Sequence, residues 1–450
     1  MRRPLARCLS MLLMAAALHA EDDDETKIKA VVKSARAGSQ EALSPLKELH
    51  AHQLAADAVL TLVDDKRVGI GMKLRLAEIV TSWPAGGARK TLADWLTQHP
   101  SCSNDALLFF ANIGLLETRG FFWNLLTQVK GPFSAVRDPE RVALAARALG
   151  AFQDNPEVVI TRIGAMLDPT DAHVMRACAA DALGGMRHVL AIQSLLPQLN
   201  DDAIGHIVRR SLYRLTSQDF ENDAERWKTW LTEQETNIPW KMLDRTEFDN
   251  YLKLQSLLKP LEEDPTMNMS SFYGVEFRAK GALFILDVSG SMIIDNRINK
   301  LKAQMSNLLI AMQNTSGKLR YGIVTFGENV ESCFSGRGIA LDDEKNHKQA
   351  VRFVDRLQAD GGTPMCEALN HALTRVLPGG NIDAIYFLSD GAPSDGTPDQ
   401  VLDLARRIHE KFQTRIHTIG IGEDPSQSSD EPSLLRQIAN ACDGTFTIPP

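Results

Sequence analysis

The chain has 450 residues, 44% of them hydrophobic and 24% charged, the composition of a soluble globular protein with more than one core. Its formal net charge of −8 disfavours a polyanion as partner, so nucleic-acid binding is set aside.

Arg2, Arg3 and Arg7 precede an apolar run, Leu9 to Leu18, which ends in small residues and meets Glu21-Asp22-Asp23-Asp24-Glu25. That layout predicts a secretory signal peptide over 1–20, cut after Ala17 or Ala20, and hence a secreted or periplasmic protein. The apolar run is too short for a membrane span, which needs roughly 20 residues. Losing three arginines would take the net charge from −8 to −11. Losing Cys8 would leave Cys102, Cys178, Cys333, Cys366 and Cys442, an odd set with no zinc-ligand spacing and too few for a disulfide scaffold.

Residues 26–231 form a succession of Ala- and Leu-rich segments with helical spacing, broken by Pro, Gly and Asp, and predict an all-α first domain. Val142-Ala143-Leu144-Ala145-Ala146-Arg147-Ala148-Leu149, Arg176-Ala177-Cys178-Ala179-Ala180-Asp181-Ala182-Leu183 and Val208-Arg209-Arg210-Ser211-Leu212-Tyr213-Arg214-Leu215 can be overlaid, their last leucines 34 and 32 residues apart. Helical pairs recurring at that period bury their apolar faces only against their neighbours. The stretch resembles HEAT repeats, best over Met175 to Leu199, where an Ala-rich helix, Gly184-Gly185 and the Leu195-Leu196 helix follow one another. Leu215 to Phe220 with Trp227-Lys228-Thr229-Trp230 resembles the closing unit of bacterial HEAT arrays, the tryptophans acting as an apolar end-cap.

Residues 232–278 lose the repeat and carry Pro239, Pro260 and Pro265, which reads as a linker with a short helix near Tyr251 to Leu258. From 279 to 450 short apolar runs alternate with amphipathic segments, the pattern of a doubly wound α/β domain with a mostly parallel sheet. Strands are predicted at Ala282 to Asp287, Tyr321 to Phe326, Ile382 to Ser389, Ile416 to Ile421 and Gly444 to Ile448. Helices are predicted at Ile298 to Asn314, Glu344 to Gln358, Pro364 to Leu377, Pro398 to Phe412 and Pro432 to Ala441. Thr397-Pro398-Asp399-Gln400 is a capping box with Pro at the first helical position.

The first strand is apolar throughout, hence central, and runs straight into Asp287-Val288-Ser289-Gly290-Ser291 at the carboxyl end of the sheet, where α/β folds bind ligands. The strand ending Ser389-Asp390-Gly391 brings a second carboxylate, and Gly361-Gly362-Thr363-Pro364 a hydroxyl on a glycine loop. Two carboxylates and three hydroxyls, without His or Cys, make a hard oxygen site for Mg²⁺, with Mn²⁺ or Ca²⁺ as substitutes, and disfavour zinc. Singly, each has a structural reading: Thr363 as a helix N-cap, Asp287 as a cap, Asp390-Gly391 as a turn and Ser289-Gly290-Ser291 as a loop. It is their joint placement at strand ends that points to a site.

The D-x-S-x-S run, the G-T-P loop and the S-D-G strand end resemble the von Willebrand factor A family over roughly Lys280 to Pro450, with no member of its metal-ion-dependent adhesion site missing. The resemblance implies that Ser289 and Ser291 are direct ligands, Thr363 a switchable one, and Asp287 and Asp390 act largely through water. It implies a non-enzymatic, adhesion-type protein that binds an Asp or Glu of a protein partner through the ion. It also implies that the last helix moves when affinity changes. Tyr273-Gly274-Val275-Glu276-Phe277 resembles a lead-in of bacterial members.

Two other functions remain open at this point. A Mg²⁺-dependent phosphoryl-transfer hydrolase would use Asp287 as nucleophile, but wants an acid where Ser289 stands and a basic clamp that the neighbouring loops lack. A repeat scaffold would make the helical array the main binding surface, with the second domain as accessory. Serine-hydrolase and dinucleotide readings lack the G-x-S-x-G elbow and the G-x-G-x-x-G turn. Cys366, one turn beyond Thr363, reads as a buried helix cysteine ahead of a redox sensor.

Overall fold

A computed structural model of the chain describes residues 24–36, 41–48, 53–84, 86–234, 237–258, 271–276, 279–313, 319–336, 338–379, 381–422 and 433–449. The expected signal peptide lies outside them. Among the described residues no helix is long and apolar enough to cross a membrane. The chain divides into two compact units, Met1–Gln128 and Val129–Pro450, so the division falls inside the helical region and not within the stretch read as a linker.

The first unit contains helices α1 (24–36), α2 (Gln53–Asp64), α3 (Ile70–Thr81), α4 (Gly87–Gln98), α5 (Asn104–Ile113) and α6 (Arg119–Thr127). Alternate helices pack together, α2 on α4 and α3 on α5, around buried Val59, Leu76, Leu92 and Phe109. Ser103 starts α5 by accepting from the Ala106 amide at 3.2 Å, satisfying one of the unpaired donors of the first turn.

The second unit opens with α7 (Pro139–Leu149), α8 (Glu157–Gly164), α9 (His173–Leu183), α10 (Val189–Leu195), α11 (Gly205–Thr216), α12 (Ala224–Gln234) and α13 (Arg245–Leu258). Again alternate helices stack: α7 on α9, α9 on α11, and α8 on α10. The alanines explain how close they come. A methyl group added at Gly150, just past α7, would lie 2.5 Å from Ala182 Cα, and one at Gly184, just past α9, 2.5 Å from Ser211 Cβ. Two contacts of one kind, 34 residues apart, account for the small-residue period of the sequence. Residues before 271 contain no strand among those described.

The stretch read as a linker has its own packing. Helix α13 lies on α11, with Tyr213 between Phe248 and Tyr251 at ring distances of 5.1 and 4.8 Å. Strands β1 (Ser271–Phe272) and β2 (Val275–Glu276) form a hairpin whose Phe272 ring meets Phe284 edge-on at 5.4 Å in the core of the following domain. Thus the segment resembling a lead-in is a hairpin that covers the sheet.

The sheet comprises β3 (Gly281–Asp287), β4 (Arg320–Phe326), β5 (Val330–Ser332), β6 (Ala340–Leu341), β7 (Ala384–Ser389), β8 (Arg415–Gly420) and β9 (Phe446–Thr447). Its order is β5-β4-β3-β7-β8-β9, with β6 also on β4. All neighbours are parallel except β5 and β6, which run antiparallel to β4. Between strands run α14 (Arg297–Gln313), α15 (Glu344–Asp355), α16 (Met365–His371), α17 (Pro398–Phe412) and α18 (Leu434–Ala441). Helices on the sheet faces explain why β3 and β7 are buried at every residue. The predicted capping box is formed: Thr397 and Gln400 bond reciprocally, and α17 starts at Pro398.

Within this second unit the stacked helices meet the sheet at the end where its strands begin. Arg210 of α11 pairs with Asp443, after α18, at 2.8 Å, and Arg176 of α9 pairs with Asp201 at 2.7 Å. Asp201 also receives Lys280, just ahead of β3, at 3.0 Å. His173 Nε2 lies 2.9 Å from the Gln413 carbonyl, and Arg415 of β8 donates to the Asp202 carbonyl at 3.1 Å. The opposite end of the sheet is left to the loops that carry the hydroxyls.

Candidate functional site

Chain order reverses at β3: the chain leaves it for β4 on one side and returns to β7 on the other. Such a switch point opens a crevice beyond the carboxyl ends of the two strands. The register aligns Leu286 with Leu388, so Asp287 and Asp390 end neighbouring strands although about a hundred residues separate them.

Asp287 is fully buried. Its Oδ1 accepts from the Ser289 amide at 2.8 Å and its Oδ2 from the Ser389 hydroxyl at 2.6 Å. Burial pushes its carboxyl above the ordinary carboxylate range, against the pull of those donors. Ser289 Oγ lies 3.0 Å from Ser291 Oγ, and Ser291 Oγ donates to Asp390 Oδ1 at 2.7 Å. The other oxygen of Asp390 accepts from Arg297 Nη1 at 2.8 Å, and this carboxylate has no solvent exposure.

The glycine loop is stitched to both strands. The Gly361 carbonyl accepts from the Gly290 amide at 3.0 Å, and the Asp360 amide donates to the Val288 carbonyl at 2.8 Å. Thr363 is buried, its amide donating to Ser394 Oγ at 2.9 Å and its carbonyl accepting from the Ser394 amide at 3.0 Å. Its hydroxyl would lie 4.0 Å from a methyl placed at Gly391, directly after Asp390. Thr363 does not cap α16: that helix has Pro364 at its N-cap position, and Asp395 accepts from the Cys366 and Glu367 amides at 3.1 and 2.8 Å. The simplest structural role for this threonine is therefore filled by another residue.

All five residues singled out in the sequence, Asp287, Ser289, Ser291, Thr363 and Asp390, thus lie on three loops tied together at one end of the sheet. Among the described residues no group of three or more His, Cys, Asp or Glu could hold a metal ion, and the cluster here combines three hydroxyls with two carboxylates. The donor chemistry fits a hard cation. An octahedron with Mg–O distances of about 2.1 Å has edges of about 3.0 Å, and the two serine oxygens stand 3.0 Å apart. Four residues escaped the sequence reading: Ser389, Ser394, Asp395 and Arg297. Ser389 was visible as the first letter of S-D-G, but its partner follows only from strand order. Arg297, six residues after Ser291 at the start of α14, supplies the basic group that the flanking loops were read as lacking. Cys366 is half-buried, and burial raises its thiol pKa, which disfavours thiolate chemistry.

A scan against family models matches residues 283–448 to the von Willebrand factor type A domain. A comparison with curated proteins finds no match. Among solved structures, a von Willebrand factor type A protein from Catenulispora acidiphila is 26% identical, the match covering 37% of this chain and 38% of that one at a TM-score of 0.32. The manganese-loaded TRAP protein of Plasmodium vivax is 19% identical over 37% of this chain and 67% of that one, at a TM-score of 0.30. The pilus adhesin SpaC of Lactobacillus rhamnosus GG is 17% identical over 37% and 28% respectively, at a TM-score of 0.29. The chain thus spans under two fifths of the first neighbour's length. The family match coincides with the parallel sheet and its switch-point loops, and over residues 283–448 the chain is similar to the von Willebrand factor type A domain.

Proposed function

We propose that this domain holds one divalent cation, Mg²⁺ by donor chemistry, at Ser289, Ser291 and Thr363, with Asp287 and Asp390 acting through water, and that it binds an acidic side chain of a protein partner without catalytic turnover. The observation that carries the reading is the 3.0 Å approach of two serine hydroxyls, backed by a carboxylate with no solvent exposure. Bound there, the ion would supply Lewis-acid attraction for a carboxylate from outside. The chain's own residues prepare for this. Asp287 accepts from the Ser289 amide at 2.8 Å, and the Ser289 hydroxyl lies 3.0 Å from that of Ser291. Asp390 holds the Ser291 hydroxyl, and the Ser394 contacts fix the Thr363 backbone beside Asp390.

A hydrolase with Asp287 as nucleophile gains no support, because both oxygens of that buried side chain already accept hydrogen bonds and Arg297 is turned onto Asp390. The stacked pairs α7 to α11 support a HEAT-like array, read as a base that leaves the hydroxyl end of the sheet exposed to a partner. Export through the N-terminal leader belongs to the same proposal.

Calorimetric titration of the full chain with Mg²⁺ tests it. The unaltered protein is expected to bind one ion, and Ser289→Ala or Asp390→Ala to lose affinity by about 100-fold with an unchanged circular dichroism spectrum. Equal Mg²⁺ affinity in those variants would refute the site.

A further inference from the structure

We infer that Arg297 is the charge-setting residue of this site: it withdraws the charge of Asp390 from the cation and so reserves the ion's attraction for an anionic ligand. The inference rests on the metal reading above and adds a residue outside the five-residue pattern.

Three observations carry it. Arg297 Nη1 donates to Asp390 Oδ2 at 2.8 Å, with the guanidinium side chain only 14% exposed and the carboxylate 0%. Ser291 takes the other oxygen of Asp390 at 2.7 Å, so that carboxylate has one oxygen bound to a protein cation and one bound to a hydroxyl. The guanidinium also has a built seat. Gly422, which follows β8 with φ +77°, lies so close that a methyl there would stand 2.2 Å from Arg297 Nη2. Asp295, the other acid near Arg297, is 4.0 Å away and 75% exposed, so solvent screens it and Asp390 is the dominant partner.

The consequence is a count of charges. Asp287 and Asp390 bring two negative charges and Arg297 one positive, leaving the empty cluster at minus one. A divalent ion would then leave it at plus one. Without Arg297 the loaded cluster would be neutral, holding its ion more tightly and an outside carboxylate less tightly. A single-contact pair buried this way is not a surface ion pair of negligible effect, because little water separates the partners. Arg297 is a positioning and charge-setting residue: the distances place it on Asp390 and not on the serine hydroxyls.

The test compares Mg²⁺ titrations of the full chain carrying Arg297→Gln, Arg297→Met or Arg297→Lys with the unaltered chain. Gln keeps a donor for Asp390 and removes the charge, Met removes both, and Lys keeps the charge. Loss of the charge is expected to tighten Mg²⁺ binding roughly tenfold in Gln and Met, whereas Lys stays within about twofold of the unaltered chain. A merely structural role predicts the opposite: unchanged or weaker binding in Gln and Met, with Lys no better. Should Met unfold, Gln decides. Absence of Mg²⁺ binding by the unaltered chain would overturn the metal reading and this inference together. Normal binding there, with Gln unchanged or weaker, would overturn this inference alone.

Discussion

The two ends of the parallel sheet solve opposite problems. Where the strands begin, α9 and α11 lay Arg176 and Arg210, each buried, against Asp201 and Asp443, and the carbonyls of Gln413 and Asp202 receive His173 and Arg415. Arg176 and Arg210 there each face a carboxylate, as a permanent packing surface requires. Where the strands end, Ser289, Ser291, Thr363, Asp287 and Asp390 crowd oxygens together, and Arg297 brings a positive charge onto Asp390. An end whose buried guanidiniums meet carboxylates builds the fold; an end rich in lone pairs is prepared for something from outside.

The comparison can be broken hardest at the paired end. Arg210→Ala would leave half-buried Asp443, whose carboxyl Arg210 and His409 hold well below the usual range, without its guanidinium. Losing one partner of such a pair costs about 3–5 kcal/mol, read as a lower denaturation midpoint. Mg²⁺ affinity should stay as in the unaltered chain. A variant of full stability would mean that this end is not the one that holds the helices to the sheet.

Acid should act on the same end next. His417, stacked on Tyr386 at 5.2 Å and bonded to Thr445, has its pKa lowered to about 4 by burial and by Arg415. His173 is lowered by burial too. Because the folded state resists protonation that the unfolded chain accepts near 6.5, the stability is complete above that pH and is lost as pH falls from about 6.5 towards 4. We expect a loss of about 2 kcal/mol over that window from His417, and His417→Gln to flatten the slope. A midpoint independent of pH between 7 and 4.5 would contradict the burial. The smallest effect belongs to the start of the helix after the Asp390 loop: Thr397→Ala removes half of a capping box and should cost about 1 kcal/mol without altering metal affinity, as melting followed by circular dichroism would record.

How much of this was legible beforehand depends on the range of the contact. Helix α17 was readable to the residue, since Thr397, Pro398 and Gln400 act within one turn. The central strands were readable because β3 and β7 are apolar throughout. Strands β5 and β6 were missed, being three and two residues long and paired antiparallel on the sheet edge, too short to show a period. The predicted helix from Pro364 ends in a different form, with Met365–His371 followed by a wider turn over Ala372–Val376. The hairpin before β3 was hidden by the prolines and polar residues around it, and its role depends on Phe272 reaching Phe284. The five candidate residues were singled out by motif, but Ser389, Ser394, Asp395 and Arg297 become their neighbours only once β7 lies beside β3, which no local pattern encodes.

The most direct measurement is a crystal structure of the full chain grown with Mn²⁺ and examined at the manganese absorption edge. The account predicts one anomalous peak at about 2.1–2.2 Å from both Ser289 Oγ and Ser291 Oγ. Full-strength Mn²⁺ in the crystal with no peak between those oxygens, or a peak bound elsewhere, would contradict it.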